Sequence, residues 1–231
     1  MSVSAQSTRR VNEVWHNATM KLNLSADEML STTRAVRKRL DFDKPVPREV
    51  IMECLDLALQ APTGSNSQGW SFVFVEDAAK KKAIADLYGR NFDEYAKGNQ
   101  QWPDGDPRND QMGAVRGSAI FLRENFHRVP VMMIPVIQGR LDNLSVPHAA
   151  GAWGSILPAV WSFMLAARER GLGTAWTTLS LPDEKEVADI CGIPFDRYTQ
   201  TGLFPIAYTI GTDFKPAKRL DTASLVHWDS W

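Results

Sequence analysis

Residues 147–170 read PHAAGAWGSILPAVWSFMLAARER, the longest helical pattern in the chain. Trp153, Ile156, Leu157, Val160, Trp161, Phe163, Met164, Leu165 and Ala167 cover nearly its whole circumference. A helix apolar all round is expected to be covered on every side. It belongs either at the centre of the domain or in an interface between subunits. Gly171 and Gly173 stop it, and residues 174–180 read as a strand behind it.

Downstream, Ser180 is placed to cap a short helix over residues 182–191, which Gly192 closes. Residues 203–210 read as a further strand, followed by a basic, mostly irregular tail. Upstream, residues 129–137 and the aromatic and β-branched run WSFVFV at 70–75 read as strands. Asp77 is placed to cap a helix with Ala83, Ile84 and Leu87 facing inward. Residues 91–113 turn polar and read as an irregular insertion, the kind of segment that often forms a lid. Pro47 opens a helix over residues 47–61, with Val50, Ile51, Cys54, Leu55, Ala58 and Leu59 at helical spacing. The spacing also predicts a helix over residues 26–39. Ser25 is its cap, Asp27 and Glu28 are in its first turn, and basic residues follow at its end, as the helix dipole favours.

Composition narrows the function classes. The 231 residues are 44% hydrophobic and 23% charged, with 26 basic and 27 acidic residues and a net charge of −1. That balance argues against a nucleic-acid binder and gives no reason to expect a membrane partner. No uninterrupted apolar stretch is long enough to predict a membrane span. Arg9 and Arg10 have no apolar run behind them, so residues 1–25 read as a loosely held arm or an added helix, not a secretory signal. Cys54 and Cys191 read as free thiols in a reducing, cytoplasmic compartment. No GxGxxG, GxxxxGK[ST], HExxH or GxSxG occurs, and His16, His127, His148 and His227 are scattered. Neither metal nor triad chemistry is expected.

Four stretches carry the remaining chemistry. TTRAVRKRL (32–40) clusters Arg34, Arg37, Lys38 and Arg39. Read as a helix, it puts Arg34 and Lys38 on one face, where they can grip a phosphate dianion or simply face water. APTGSNSQGW (61–70) joins turn residues to hydroxyls and amides able to bond the edge of a polar heterocycle. GLGTAWTTLSL (171–181) brings glycine-freed backbone close to something flat, or is a buried strand. PAKRL (216–220) adds Lys218 and Arg219.

In this order, over about residues 30–220, the stretches resemble the FMN-dependent nitroreductase family. Here the pieces read T33-R34-A35-V36-R37, P45-V46-P47, A61-P62-T63-G64-S65-N66-S67-Q68-G69-W70, G171-L172-G173 and K218-R219. Thr33, Ala35, Thr63 and Gly69 depart from the family's Arg, Ser, Ser and Pro. The resemblance implies an α+β fold with a central, mainly antiparallel sheet flanked by helices and a long buried helix at a homodimer interface. It implies one FMN-binding domain over residues 26–231, with a variable lid at 91–113 and a C-terminal extension, residues 212–231, wrapped onto the partner subunit.

The resemblance also assigns roles. Arg34, beside Ala35, would hold the FMN phosphate, and Lys218 and Arg219 would close that site. Arg37 would lie near N1 and O2 of the ring. Pro62, Thr63, Gly64, Asn66 and Gln68 would reach the flavin from the other subunit, and Ser155 would touch the ring. Ala175, Trp176, Thr177, Thr178 and Leu179 would run along the ring edge, with a backbone N–H near Thr178 aimed at N5. No side chain would act as acid or base. NADH or NADPH would reduce the flavin, and a small planar acceptor, a nitroaromatic or quinone, would then take its place, with Phe92, Tyr95 and Trp102 near it. Enone reduction, dehalogenation, flavin fragmentation and non-enzymatic FMN storage or sensing remain open alternatives, as does a plain helical scaffold.

Overall fold

The computed structural model describes residues 20–98 and 102–231. Most of the expected N-terminal arm and residues 99–101 of the expected lid lie outside the described residues.

Ala26–Thr32 forms α1, started by Ser25. The Ser25 hydroxyl accepts from the Glu28 N–H at 3.2 Å, and the Glu28 carboxylate accepts from the Ser25 N–H at 2.8 Å. This reciprocal pair satisfies donors that a helix start leaves orphaned. The helix ends at Thr32, not at residue 39 as its pattern suggests. Thr32 and Thr33 turn their hydroxyls onto the Glu28 and Met29 carbonyls, both at 2.6 Å. The Val36 N–H then donates to the Thr174 carbonyl at 2.8 Å. A β-branched pair has weak helix propensity, and a sheet partner outcompetes it. Arg34 and Lys38 therefore share no helical face.

The chain continues through β1 (Leu40–Asp41), α2 (Arg48–Ala58), β2 (Trp70–Val75) and α3 (Ala78–Tyr95). Asp77 caps α3, its carboxylate accepting from the Lys80 N–H at 2.8 Å. Then follow α4 (Asn109–Asn125), β3 (Val131–Gln138), α5 (Val146–Glu169), β4 (Leu172–Thr174), α6 (Glu184–Cys191), β5 (Tyr198–Gln200) and β6 (Phe204–Thr209). The sheet runs β1-β6-β3-β2, with β4 also on β6 and β5 also on β3. Every strand pair is antiparallel; the Ala35–Thr174 bridge is parallel. This is the expected α+β arrangement.

β3 explains the two-layered core. All of its residues from Val131 to Ile137 are buried. Side chains alternate across a strand. Met132, Ile134 and Val136 accordingly pack with Tyr88, Phe92 and Leu122 on one face. Val131, Met133 and Ile137 pack with Cys54, Val160 and Phe163 on the other. Pro135 falls where the pairing of β3 passes from β6 to β5, a gap in the ladder at that edge.

Two further expectations need correcting. The strand at 174–180 shortens to Leu172–Thr174; beyond it only Thr177 bridges to Leu203. The polar stretch at 91–113 is not one irregular insertion. α3 runs to Tyr95, and the polar α4 begins at Asn109, joined to α3 by the Arg123–Asp93 ion pair. The described residues of one chain do not by themselves cover α5 on every side. Ile156, Ala159, Val160, Phe163 and Ala167 are fully buried, but Gly154 and Trp161 are exposed, and Trp153, Leu157 and Leu165 are half-buried. The sheet and α2 cover one side only. Among the described helices, α5 alone has the length and apolarity of a membrane span; here it is the central helix of the packed layer.

Cys54 and Cys191 are free, the first fully buried. The tail beyond β6 is mostly exposed, Trp228 to 84% and Trp231 to 101%, although Phe214 packs against the core.

Candidate functional site

The irregular stretch after β4 is held tightly on both sides of one residue. Thr177 and Leu203 exchange main-chain bonds at 3.2 and 2.8 Å, and the Trp176 indole donates to the Thr201 carbonyl at 3.2 Å. Ala175 is fully buried behind them. Thr178 is exposed, and its N–H donates to no main-chain carbonyl among the described residues. A fixed backbone with N–H donors left over is a preorganised hydrogen-bonding edge.

That edge forms one wall of a cleft of about 620 Å³. Trp176, Thr177, Thr178 and Leu179 face Tyr88, Phe92 and Tyr95 of α3, and Met112, Val115, Arg116 and Ala119 of α4. Arg37 enters from the segment after α1. The volume falls within the range of small-molecule and cofactor sites. Sequence reading brought Arg37, residues 176–179, Phe92 and Tyr95 here. It missed Tyr88 and the α4 wall. The signal lay in Val115, Ala119 and Leu122, apolar at helical spacing inside a polar stretch.

Arg37 is half-buried, and its guanidinium donates to the Ser118 hydroxyl at 3.4 Å. Burial lowers its pKa, and the neighbouring Tyr88 partly offsets this. Burial also pushes the Tyr88 phenol up to about 12, against the pull of Arg37. At neutral pH the pair is therefore a cation beside a neutral phenol.

A second cleft of about 430 Å³ shares Met112 and Val115 with the first. It holds Lys218, Arg219, Trp102 and Arg108. The Arg108 guanidinium lies 3.4 Å over the Trp102 ring and forks onto Asp106 at 2.9 and 2.6 Å. Those bonds hold the Asp106 carboxyl down at about 2. Three guanidinium groups grip the main chain leading to Lys218 and Arg219. Arg39 donates to the Ile210 carbonyl at 2.7 Å, Arg168 to Thr212 at 2.9 Å and Arg34 to Lys215 at 2.8 Å. Arg39 thus serves the tail and not the cleft. Ala35 is exposed beside Arg34 and bridges to Thr174.

The loop holding Pro62, Thr63, Gly64, Asn66 and Gln68 lines neither cleft. It is exposed apart from the half-buried Thr63, and it is tied to α5, where the Gly64 N–H donates to the Ser155 hydroxyl at 3.0 Å. Ser155 in turn donates to the Gly151 carbonyl at 2.9 Å. Ser65, Asn66 and Gln68 all carry positive φ, of 52°, 52° and 47°. Such backbone costs free energy in non-glycine residues and clusters at functional sites. Among the described residues no group of His, Cys, Asp and Glu could hold a metal ion.

Comparison with known proteins adds descent to this geometry. A model described as the nitroreductase family matches residues 30–208. A 4-nitrobenzoate reductase of Nocardioides sp. (strain LMS-CY) is 28% identical over 202 residues, covering 77% of this chain and 78% of the relative. An iodotyrosine deiodinase of Thermotoga neapolitana is 27% identical over 183 residues, covering 78% and 86%. Among solved structures, the FMN and NADPH-dependent nitroreductase NfnB from Sphigopyxis sp. strain HMH gives a TM-score of 0.66 at 20% identity, covering 90% of this chain and 100% of that one. At that identity the likeness concerns the fold. The matched stretch runs from α1 to β6 through every element that builds the first cleft, and the chain belongs to the nitroreductase family.

Proposed function

We propose that this chain is an FMN-dependent oxidoreductase, working as a homodimer, that takes electrons from NADH or NADPH and reduces a small planar acceptor such as a nitroaromatic or a quinone. The observation that carries the reading is the first cleft: a half-buried Arg37 and the Trp176–Leu179 backbone edge share it, with no Asp or Glu among the described residues of its lining.

The donor set fits FMN. Among the hydrogen bonds of the described residues, Arg219 and Arg34 have only main-chain acceptors and the Lys218 ammonium has none, which leaves them available to a phosphate dianion. Bound FMN would supply two-electron transfer between a nicotinamide and the acceptor. Arg37 would hold the negative charge that reduction places on the pyrimidine edge of the ring. The Thr178 N–H would donate to the ring. Phe92, Tyr95, Met112 and Leu179 would keep water from the face where the two substrates alternate. No side chain would need to act as a general base; the described residues of the lining include no His, Asp or Glu.

The loop at 62–68, Ser155 and the open face of α5 would serve a second copy of the chain. A two-fold interface is isologous, so it would create two equivalent sites. Trp153, Leu157, Trp161 and Leu165 would be covered there, as would the tail residues Leu225, Val226, Trp228 and Trp231. Residues 26–231 would form one domain, preceded by an arm at 1–25, and the free thiols suit a cytoplasmic location.

The iodotyrosine deiodinase among the relatives favours a second reading, the same cofactor with a halogenated acceptor. The purified protein should be yellow, and NADH or NADPH should bleach it. Turnover of a nitroaromatic, a quinone and a halophenol, measured side by side, separates the two readings. A colourless protein that does not take up added FMN would defeat both.

A further inference from the structure

The two adjoining clefts have a charge pattern unlike the chain's net charge of −1. Among the described residues, Arg37, Arg108, Arg116, Lys218 and Arg219 line them, and no Asp or Glu does. Arg108 is already paired with Asp106. On the reading proposed above, the cofactor takes up Arg37, Lys218 and Arg219. One cation remains, Arg116 on α4. Its guanidinium is exposed and, among the described residues, donates to a single neutral acceptor, the Ala96 carbonyl, at 3.2 Å. It adjoins an apolar slot walled by Phe92, Tyr95, Met112 and Ala119. An apolar slot with one unneutralised cation at its rim complements a flat apolar body carrying one negative group. A guanidinium also matches a carboxylate in fork geometry.

We infer that Arg116 selects an aromatic carboxylate as the acceptor, the ring lying in the apolar slot and the carboxylate on the guanidinium. This rests on the reductase reading for its chemistry and on the cleft alone for its binding.

Both levels can be read in one experiment on the purified protein. 4-Nitrobenzoate and its neutral amide, 4-nitrobenzamide, have the same ring and the same reducible group. Their Kd values come from quenching of tryptophan emission, and their kcat/KM values from NAD(P)H oxidation. The wild type should favour the acid about five- to tenfold in both, the modest end because the guanidinium is exposed. R116Q should bring the ratio near one, and R116K should keep part of it. Equal affinity for the two compounds in the wild type overturns the inference, as does a preference that survives in R116Q, or no binding of either. Tenfold weaker FMN binding in R116Q would assign Arg116 to the cofactor and overturn it. A changed NADPH-to-NADH preference with an unchanged acid-to-amide ratio would assign it to the nicotinamide and overturn it as well. An Arg116-dependent preference in Kd, with no turnover of either compound, of a quinone or of a halophenol, supports the inference at the level of binding and defeats the reductase reading.

Discussion

The Gly64 amide donates to the Ser155 hydroxyl at 3.0 Å, tying an exposed loop with three left-handed residues to the longest helix of the chain. The loop's conformation is costly, so its anchor should matter. Ser155→Ala removes the acceptor and should cost about 1 kcal/mol, lowering Tm by about 2–4 °C. If the loop contacts FMN in a dimer, affinity should fall by about fivefold, measured by quenching of flavin fluorescence. Unchanged FMN affinity would remove the loop from the site.

Arg37 is the half-buried charge of the first cleft. Arg37→Ala should weaken FMN binding by roughly 1.5–3 kcal/mol, about ten- to a hundredfold. Equilibrium dialysis of the variant against FMN checks this, and wild-type affinity would rule Arg37 out as a cofactor contact.

The open face of α5 offers a test of assembly. A surface substitution in a monomer usually changes stability by less than about 0.5 kcal/mol. Trp161→Glu should instead dissociate a dimer, seen by sedimentation at micromolar concentration. A wild-type protein that sediments as a monomer contradicts the interface.

Cys54 gives a pH dependence with a definite sign. Its thiol is fully buried, and desolvation raises its pKa from 9.0 to about 12. Between those values the unfolded chain loses the proton and the folded chain keeps it. Stability from this group is therefore complete below pH 9 and falls as pH rises toward 12. By pH 10.5 the loss is about 2 kcal/mol. Urea melts of wild type and Cys54→Ala at pH 8 and 10.5 isolate it, because other titrating groups are common to both. The wild type should lose the larger share of its stability; equal losses would show that the thiol ionises freely in the fold.

Arg140 has two carboxylate partners that differ in burial. Glu184 is mostly buried and also accepts from the Gln200 N–H at 2.8 Å, whereas Asp142 is 58% exposed. Glu184→Ala should cost about 2 kcal/mol and roughly 5 °C in Tm. Asp142→Ala should cost under about 1 kcal/mol. Thermal melts of the two variants that reversed this order would contradict the account.

Features fixed by neighbours in the chain were legible in the sequence. The Ser25 cap, the Asp77 cap, the strand at 70–75 and the left-handed stop at Gly192 all depend on residues within a turn or two. What failed was non-local. α1 stops early because Val36 finds Thr174, and β4 stops early because Trp176 and Thr177 bond to Thr201 and Leu203. β5 exists because β3 offers it an edge. In the site, Arg37, residues 176–179, Lys218 and Arg219 were visible through ordered motifs. Tyr88 and Arg116 were not, since each is one residue of an ordinary helical pattern until α3 and α4 are set face to face.

The guanidinium groups of Arg34, Arg39 and Arg168 hold carbonyl oxygens of the tail, a group that every residue type carries. The identity of residues 215–217 should therefore drift freely. Their number should not: inserting or deleting a single residue between Lys215 and Lys218 would carry Lys218 and Arg219 out of register with the second cleft while leaving every clamp intact.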